Sequence, residues 1–380
     1  MNRPSSLASA SSNGAPVPTP DGTAQEALQA RIADAIAHAG GWLGFDRFME
    51  LALYEPGLGY YAGGARQFGT MPESGSDFVT APELNALFGR TLAAQVEQAL
   101  AATGTDEIWE FGAGSGALAA QLLDALGGKV NRYTIVDLSA SLRDKQRRTL
   151  KRHATKVQWA DALPDEMRGV VVGNEVLDAM PVQLLARRDG RWHERGVALH
   201  EGRILFADRP TDLRPPVQIE GDGDYVTEIH LRSQAFIRTI AAKLVRGAAF
   251  FIDYGFPESE YYHPQRHMGT VMCHRGHRSD GDPLADIGAK DITAHVNFSD
   301  LALSAQDAGL DVLGYTSQGR FLINCGLLQL KERSRTAGLE HINHLVLEHE
   351  MGELFKVIGF AAGGSFDPIG FARGDRTHTL

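Results

Sequence analysis

Two stretches of this chain carry residue types at spacings that suit chemistry. The first is Ile108-Trp109-Glu110-Phe111-Gly112-Ala113-Gly114-Ser115-Gly116-Ala117. An apolar run carries an acid, and glycines then occupy every second position. Glycine is needed where a ligand must approach the backbone more closely than a Cβ allows. A helix starting just beyond presents unpaired N–H groups and a positive dipole end. The second stretch is Asn174-Glu175-Val176-Leu177-Asp178-Ala179-Met180-Pro181. If the chain turns helical there, Glu175 and Asp178 share a face. Paired carboxylates can grip a guanidinium in a bidentate fork, orient one nitrogen and take up its proton as charge leaves. The plainer reading is an asparagine cap followed by exposed acids.

Further acids bear on which cofactor the glycine turn serves. Asp137 ends an expected strand at 133–136, where an acid accepts both ribose hydroxyls. Asp161 ends one at 157–159, where an acid faces an adenine amine. Glu110 stands just ahead of the first glycine. Ligands of open α/β sheets bind outside the carboxyl ends of the strands. Three strand-end acids suit a cationic, phosphate-free cofactor, whereas Glu110 would repel a pyrophosphate. S-adenosyl-L-methionine, with a sulfonium, an ammonium and one carboxylate, fits. Methyl transfer is an in-line displacement that needs its nucleophile held in near-attack geometry. The turn also matches the Gly-x-Gly-x-x-Ala dinucleotide form, so an NAD(P)-dependent oxidoreductase is the competing enzyme reading. A non-catalytic assembly chaperone that retains the fold is the third.

The elements that must position these residues follow from the pattern. Strands are expected at 108–111, 133–136, 157–159, 170–173 and 248–252, with helices at 117–126, 139–152 and 231–245. The β-branched run Val170-Val171-Val172 suits a parallel strand buried on both faces. The alternation implies an α/β fold, a doubly wound sheet with right-handed crossovers. Residues 1–24 read as a disordered tail and 25–104 as a helical N-terminal lid or substrate block. Residues 105–380 read as the core, with insertions near 183–230 (an antiparallel hairpin), 256–296 (a long loop over the strand ends) and 321–351 (helical).

Composition excludes several classes. The 380 residues carry a net charge of −10, which argues against a general nucleic-acid or anionic-membrane binder. The two cysteines, Cys273 and Cys325, form no Cys-x-x-Cys, so no disulfide framework or thiolate zinc site is expected. No apolar run approaches the ~18 residues of a membrane span. Residues 1–24 lack the apolar core of a secretory signal and hold a single arginine, Arg3, so the cytoplasm is the expected compartment. His263, His267, Cys273, His274 and His277 match no zinc spacing, so no metal is expected, and they read as polar surface or substrate contact. The basic run from Arg143 to Arg152 spreads around its helix and reads as a solvated face.

The order of several separated motifs resembles the MidA-like methyltransferases, which include the mitochondrial complex I assembly arginine methyltransferase. The resemblance spans about residues 40 to 360. It rests on Phe45-x-x-Phe48-Met49 with Pro56-Gly57-x-Gly59-Tyr60-Tyr61, on Asp77-Phe78-Val79-Thr80-Ala81-Pro82-Glu83, and on Glu110 to Gly116. Val136-Asp137-Leu138-Ser139, Asn174 to Pro181, Asp253-Tyr254-Gly255 and Gln318-Gly319-Arg320-Phe321-Leu322 continue the series. It implies a Rossmann-like class I methyltransferase core, S-adenosyl-L-methionine as donor and a protein arginine as acceptor, in that mitochondrial member on a complex I subunit. Carried over, Gly112, Gly114, Gly116 and Asp137 hold the cofactor, Asp77 and Thr80 close the site, and Glu175 and Asp178 handle the acceptor. The family turn often has Pro and Arg where this chain has Ala113 and Ser115, which implies the loss of a charged contact.

Overall fold

The computed structural model describes residues 22–63, 80–137, 139–333 and 342–380. Asp77, Leu138, residues 1–21 of the expected tail and residues 334–341 of the expected helical segment lie outside them. The chain begins with α1 (Gly22–His38), the short strand β1 (Leu43–Gly44), α2 (Phe45–Tyr54), the single turn α3 (Ala81–Leu84) and α4 (Leu87–Thr103). α2 buries Phe45, Phe48, Met49 and Ala52, the face that their spacing predicts.

Next come β2 (Glu107–Phe111), α5 (Ala117–Leu126), β3 (Arg132–Val136), α6 (Ala140–Thr149), β4 (Val157–Ala160) and β5 (Met167–Asn174). An antiparallel sheet follows, built from β6 (Gln183–Arg188), β7 (Arg191–His200), β8 (Arg203–Pro210) and β9 (Tyr225–Ile229), with β1 pairing to β7. The chain returns to the core through α7 (Leu231–Lys243) and β10 (Leu244–Phe256). Residues 256–296 are not a bare loop. They hold α8 (Glu258–Tyr261), β11 (Met272–Arg275), β12 (Arg278–Asp280), β13 (Asp291–Thr293) and β14 (Val296–Asn297). These strands are too short and polar for an alternation to show in sequence. α9 (Phe298–Asp307), β15 (Asp311–Ser317), α10 (Gln318–Asn324) and β16 (Phe355–Ala362) complete the core.

The main sheet has the order β15-β16-β10-β5-β2-β3-β4. β10, β5, β2, β3 and β4 run parallel, and β16 lies antiparallel between β10 and β15. From β2 the chain steps outward to β3 and β4, then crosses to β5 on the other side of β2. The strand order therefore reverses between β2 and β5, where a doubly wound sheet opens its ligand crevice. Phe111 and Gly173 pair across that seam, so both chemical stretches of the sequence leave the sheet side by side.

β5 is buried on both faces, as its valines predict. Val170 and Val172 pack with Leu92, Val96, Leu118 and Leu122 of α4 and α5. Val171 packs on the other face with Ile237, Ile240 and Leu301 of α7 and α9. α1 and α2 join a third apolar cluster with Leu184, Val197, Cys273 and Ile292 of the inserted strands. The first two helices thus rest on the insertions, while α4 rests on the core.

Candidate active site

The glycine turn links β2 to α5, with φ of 63° at Gly112, 52° at Gly114 and 84° at Gly116. A Cβ on Gly112 would come within 2.9 Å of Val176 Cγ2. The turn is fastened from two sides. Ser115 donates its hydroxyl to Glu83 of α3, and Gln121 of α5 donates to the Pro82 carbonyl at 2.7 Å. The position where a charged contact was expected to be missing therefore carries a hydrogen bond to the N-terminal segment. On the other side, fully buried Gln146 donates to the Gly114 carbonyl at 3.1 Å and to Asp137 Oδ2 at 2.8 Å. Its own oxygen accepts the Trp159 indole N–H at 2.8 Å.

Asp137 lies at the end of β3, buried, with Oδ1 accepting the Ser139 N–H at 2.9 Å. Burial holds its carboxyl above the usual carboxylate range, while the bonds from Ser139 and Gln146 oppose the shift. Glu110 lies 2% exposed beneath the turn and accepts the Tyr133 hydroxyl at 2.8 Å. Burial pushes it up to about 8, so at neutral pH it is mostly protonated. A neutral Glu110 does not repel a pyrophosphate, contrary to the expectation from its formal charge. Asp161 lines the cavity beside the glycine turn, at an open edge. Its side chain is 85% exposed, and its carboxylate sits 2.6 Å from Arg143 Nη1. Arg143 is not a solvated helix residue, since it also donates to the Asp137 carbonyl at 2.9 Å. Thr80 is the buried residue that precedes α3.

Across the seam, residues 175–178 form a tight turn and not a helix. Glu175 has φ of 54°, in the left-handed region that non-glycine residues seldom adopt. The turn is organised by Asp253 of β10, one residue past the last that pairs with β5. Its fully buried Oδ2 accepts the N–H groups of Val176, Leu177 and Asp178 at 3.1, 2.9 and 3.3 Å. Asn174 donates to Glu175 Oε1 at 2.9 Å, and Tyr254 donates to Asp178 Oδ2 at 2.6 Å. Asn174 Oδ1 and Asp178 Oδ1 are buried with no partner among the described residues. Burial, reinforced by the Asp178 charge, pushes Glu175 up to about 8. Burial pushes Asp178 to about 6 against the Tyr254 hydrogen bond.

One cavity of about 1160 Å³ joins the glycine turn to this turn. The N-terminal block contributes Tyr54 and Tyr61, whose rings stack with centroids 5.5 Å apart. Tyr54 donates to the Ala179 carbonyl and Tyr61 to Asp291 Oδ2, each at 2.9 Å. The insertion contributes His274, Asp291, Thr293 and His295, so the histidine-rich segment does reach the cavity. His295 packs edge-on against Tyr254 at 5.2 Å, and burial lowers it to about 4. The described lining includes one arginine, Arg232, and this lies 3.2 Å from Glu50 at the rim. The inner wall is thus rich in carboxyls and tyrosines and has no facing cation among the described residues.

Sequence reasoning gave no task to Tyr54, or to Tyr61 of the quoted Pro56–Tyr61 motif, and missed Gln146, Asp291 and His295. It quoted Asp253 and Tyr254 without giving them a task. The position of Asp253 directly after the expected strand at 248–252 was the available signal; Gln146 was hidden in a basic run. Among the described residues, no three His, Cys, Asp or Glu side chains are grouped to hold a metal ion. No described helix is long and apolar enough to cross a membrane.

A glycine turn at the switch point of a parallel sheet, opening on an acidic inner pocket, fits a cationic nucleoside cofactor and defines a Rossmann-like methyltransferase. Residues 88–316, more than half of the chain, match the family described as "Putative S-adenosyl-L-methionine-dependent methyltransferase", and the chain belongs to it. A crystal structure of a superfamily member from Burkholderia thailandensis bound to S-adenosyl-homocysteine is 52% identical, with a TM-score of 0.91 over 96% of this chain and 100% of that one. Protein arginine methyltransferase NDUFAF7, mitochondrial, of Danio rerio is 26% identical over 81% of both chains. Its human counterpart is 25% identical over 74% of this chain and 69% of that one. The cofactor is therefore S-adenosyl-L-methionine. The oxidoreductase alternative has no support in these matches. The expected cytoplasmic location is overturned, because these relatives are named as mitochondrial proteins.

Proposed function

We propose that this enzyme methylates an arginine side chain of a protein. One observation carries the reading. Glu175 and Asp178 stand together at the inner end of the cavity, and among the described residues neither has an arginine or lysine within ion-pair distance. A guanidinium supplies the missing cation. The relatives named protein arginine methyltransferases support the same acceptor. When bound, the cofactor supplies an electron-poor methyl group on sulfur.

In this reading Glu175 and Asp178 hold and orient the guanidinium, and Asn174 fixes the Glu175 carboxyl. The burial that raises both carboxyls also makes them better proton acceptors. Gly112, Gly114, Gly116, Glu110 and Asp137 hold the cofactor, with Asp161 at the outer end through Arg143. Thr80 closes the site from residues 25–104, which act as lid and substrate block on the core at 105–380. That the protein acceptor is a respiratory complex I subunit rests on the family resemblance.

The test uses purified protein, tritiated S-adenosyl-L-methionine and a mitochondrial extract, followed by identification of the labelled residue. Label on arginine is expected, falling by about 10²-fold or more in Glu175→Gln. Label on another side chain rejects the arginine assignment. Undiminished labelling by Glu175→Gln removes Glu175 from catalysis. No label, with partner assembly intact, restores the chaperone reading.

A further inference from the structure

A second cleft, of about 520 Å³, opens beside the first. The two share Leu354, which is 46% exposed, and the next residue, Phe355, lines the acceptor cavity. Phe355 pairs with Tyr254 across β10 and β16, so the cleft begins within a residue of the groups that surround Asp178.

Its charges do not cancel. Glu353 is matched by Arg376, at 2.5 and 3.1 Å, and by Lys356 at 3.5 Å. Glu350 lies 3.1 Å from His344. Glu260 and Glu348 also line the cleft, and among the described residues neither has an arginine or lysine within ion-pair distance. A second, independent feature is Tyr315. It is fully buried, it lines the cleft, and its hydroxyl has no hydrogen-bond partner among the described residues. Glu260, Glu353 and Arg376 are the charges that act on it. A buried hydroxyl without a partner is costly, so such a group calls for a specific reason.

The geometry points to this cleft as the site for a lysine or arginine side chain of the acceptor protein, a few residues away from the methylated arginine. The proposal rests on the protein-arginine reading above and names the sequence context that this reading leaves open. An extended peptide advances about 3.3 Å per residue, so a segment crossing Leu354 brings a neighbouring side chain to the cleft. An ammonium or guanidinium there donates to the Tyr315 oxygen and pairs with Glu260 or Glu348. Because these acids are exposed, the preference is modest, about three- to tenfold.

The test measures kcat and KM for full-length enzyme on nine-residue glycine-serine peptides with a central arginine. Each carries one lysine, or alanine in its place, at successive offsets. Lysine is expected to lower KM about three- to tenfold at one or two offsets with kcat unchanged. The double variant Glu260→Gln/Glu348→Gln, and separately Tyr315→Phe, should erase that preference while the alanine peptides keep their KM. Equal KM for lysine and alanine at every offset overturns the proposal, as does a preference that survives the double variant. If no peptide is methylated, the arginine reading fails, and fluorescence anisotropy decides the cleft separately. Binding of a labelled arginine-free lysine peptide to wild type but not to the double variant supports it, and equal or absent binding rejects it.

Discussion

The hydroxyl of Tyr254 donates to Asp178 Oδ2 at 2.6 Å, and the residue before it, Asp253, receives three backbone N–H groups of the turn that carries Asp178. One strand thus sets both the position and the acidity of a carboxyl in the neighbouring loop. The hydrogen bond favours the ionised form and opposes burial, which alone would lift Asp178 further above about 6. Tyr254→Phe should therefore move the lower of the two acidic limbs of the kcat/KM profile, the one near 6, to higher pH by about one unit. Activity on the alkaline side should be nearly retained. Superimposable profiles would reduce Tyr254 to packing.

Glu175 gives a second pH dependence. Its carboxyl sits at about 8 in the free enzyme, and it must be ionised to hold a guanidinium. In wild type kcat/KM should climb with pH until about 8. Glu175→Gln should lower the plateau by about 10²-fold and remove the upper part of that climb, leaving the Asp178 limb near 6. A variant that keeps the upper limb would assign it to another group.

Glu110 makes the unliganded fold sensitive to alkali. Its folded-state pKa, about 8, lies above the unfolded value near 4.5. Its contribution to stability is thus complete below pH 4.5 and disappears as pH rises through about 8. Between pH 5 and 9 the Tm of wild type should fall by several degrees more than that of Glu110→Gln. Thermal unfolding without cofactor measures this, and equal slopes would contradict the buried, protonated state. Binding of a cationic ligand should also release protons, read as a buffer-dependent enthalpy in titration calorimetry.

Gly114 and Gln146 test the cofactor turn. Gly114→Val places a β-branched residue at φ 52°, which costs about 1–2 kcal/mol of stability, and fills the approach to the backbone. The affinity for S-adenosyl-homocysteine should fall at least tenfold in calorimetry. Unchanged affinity would displace the cofactor from the turn.

Gln146→Leu removes the bonds to Gly114 and Asp137 while keeping bulk. It should weaken the same affinity about tenfold and lower stability by about 1–3 kcal/mol. An unaltered Kd would make Gln146 purely structural.

The parallel core was legible because its signals are local. Val170 to Val172 announce a strand buried on both faces, and the three glycines announce the turn after β2. Glu175 and Asp178 were singled out by type and spacing, and both line the cavity, although the helix inferred for them is a turn held by Asp253. The rest depends on distant pairings. Tyr61 meets Asp291 across 230 positions of sequence, and Tyr54 reaches Ala179 across 125. No periodicity records such contacts. The charge reading of Glu110 failed for a related reason: a formal charge is visible in sequence, but the burial that neutralises it is not.

The left-handed backbone at Glu175 sets stability against activity. Glycine occupies that conformation without the penalty an L side chain incurs, about 1–2 kcal/mol. A Glu175→Gly protein should hold its turn more easily while having no carboxyl to offer. Selection for thermal robustness alone would drift away from the acid at this position. Under the proposed role, its presence there reflects a demand of the chemistry and not of the fold.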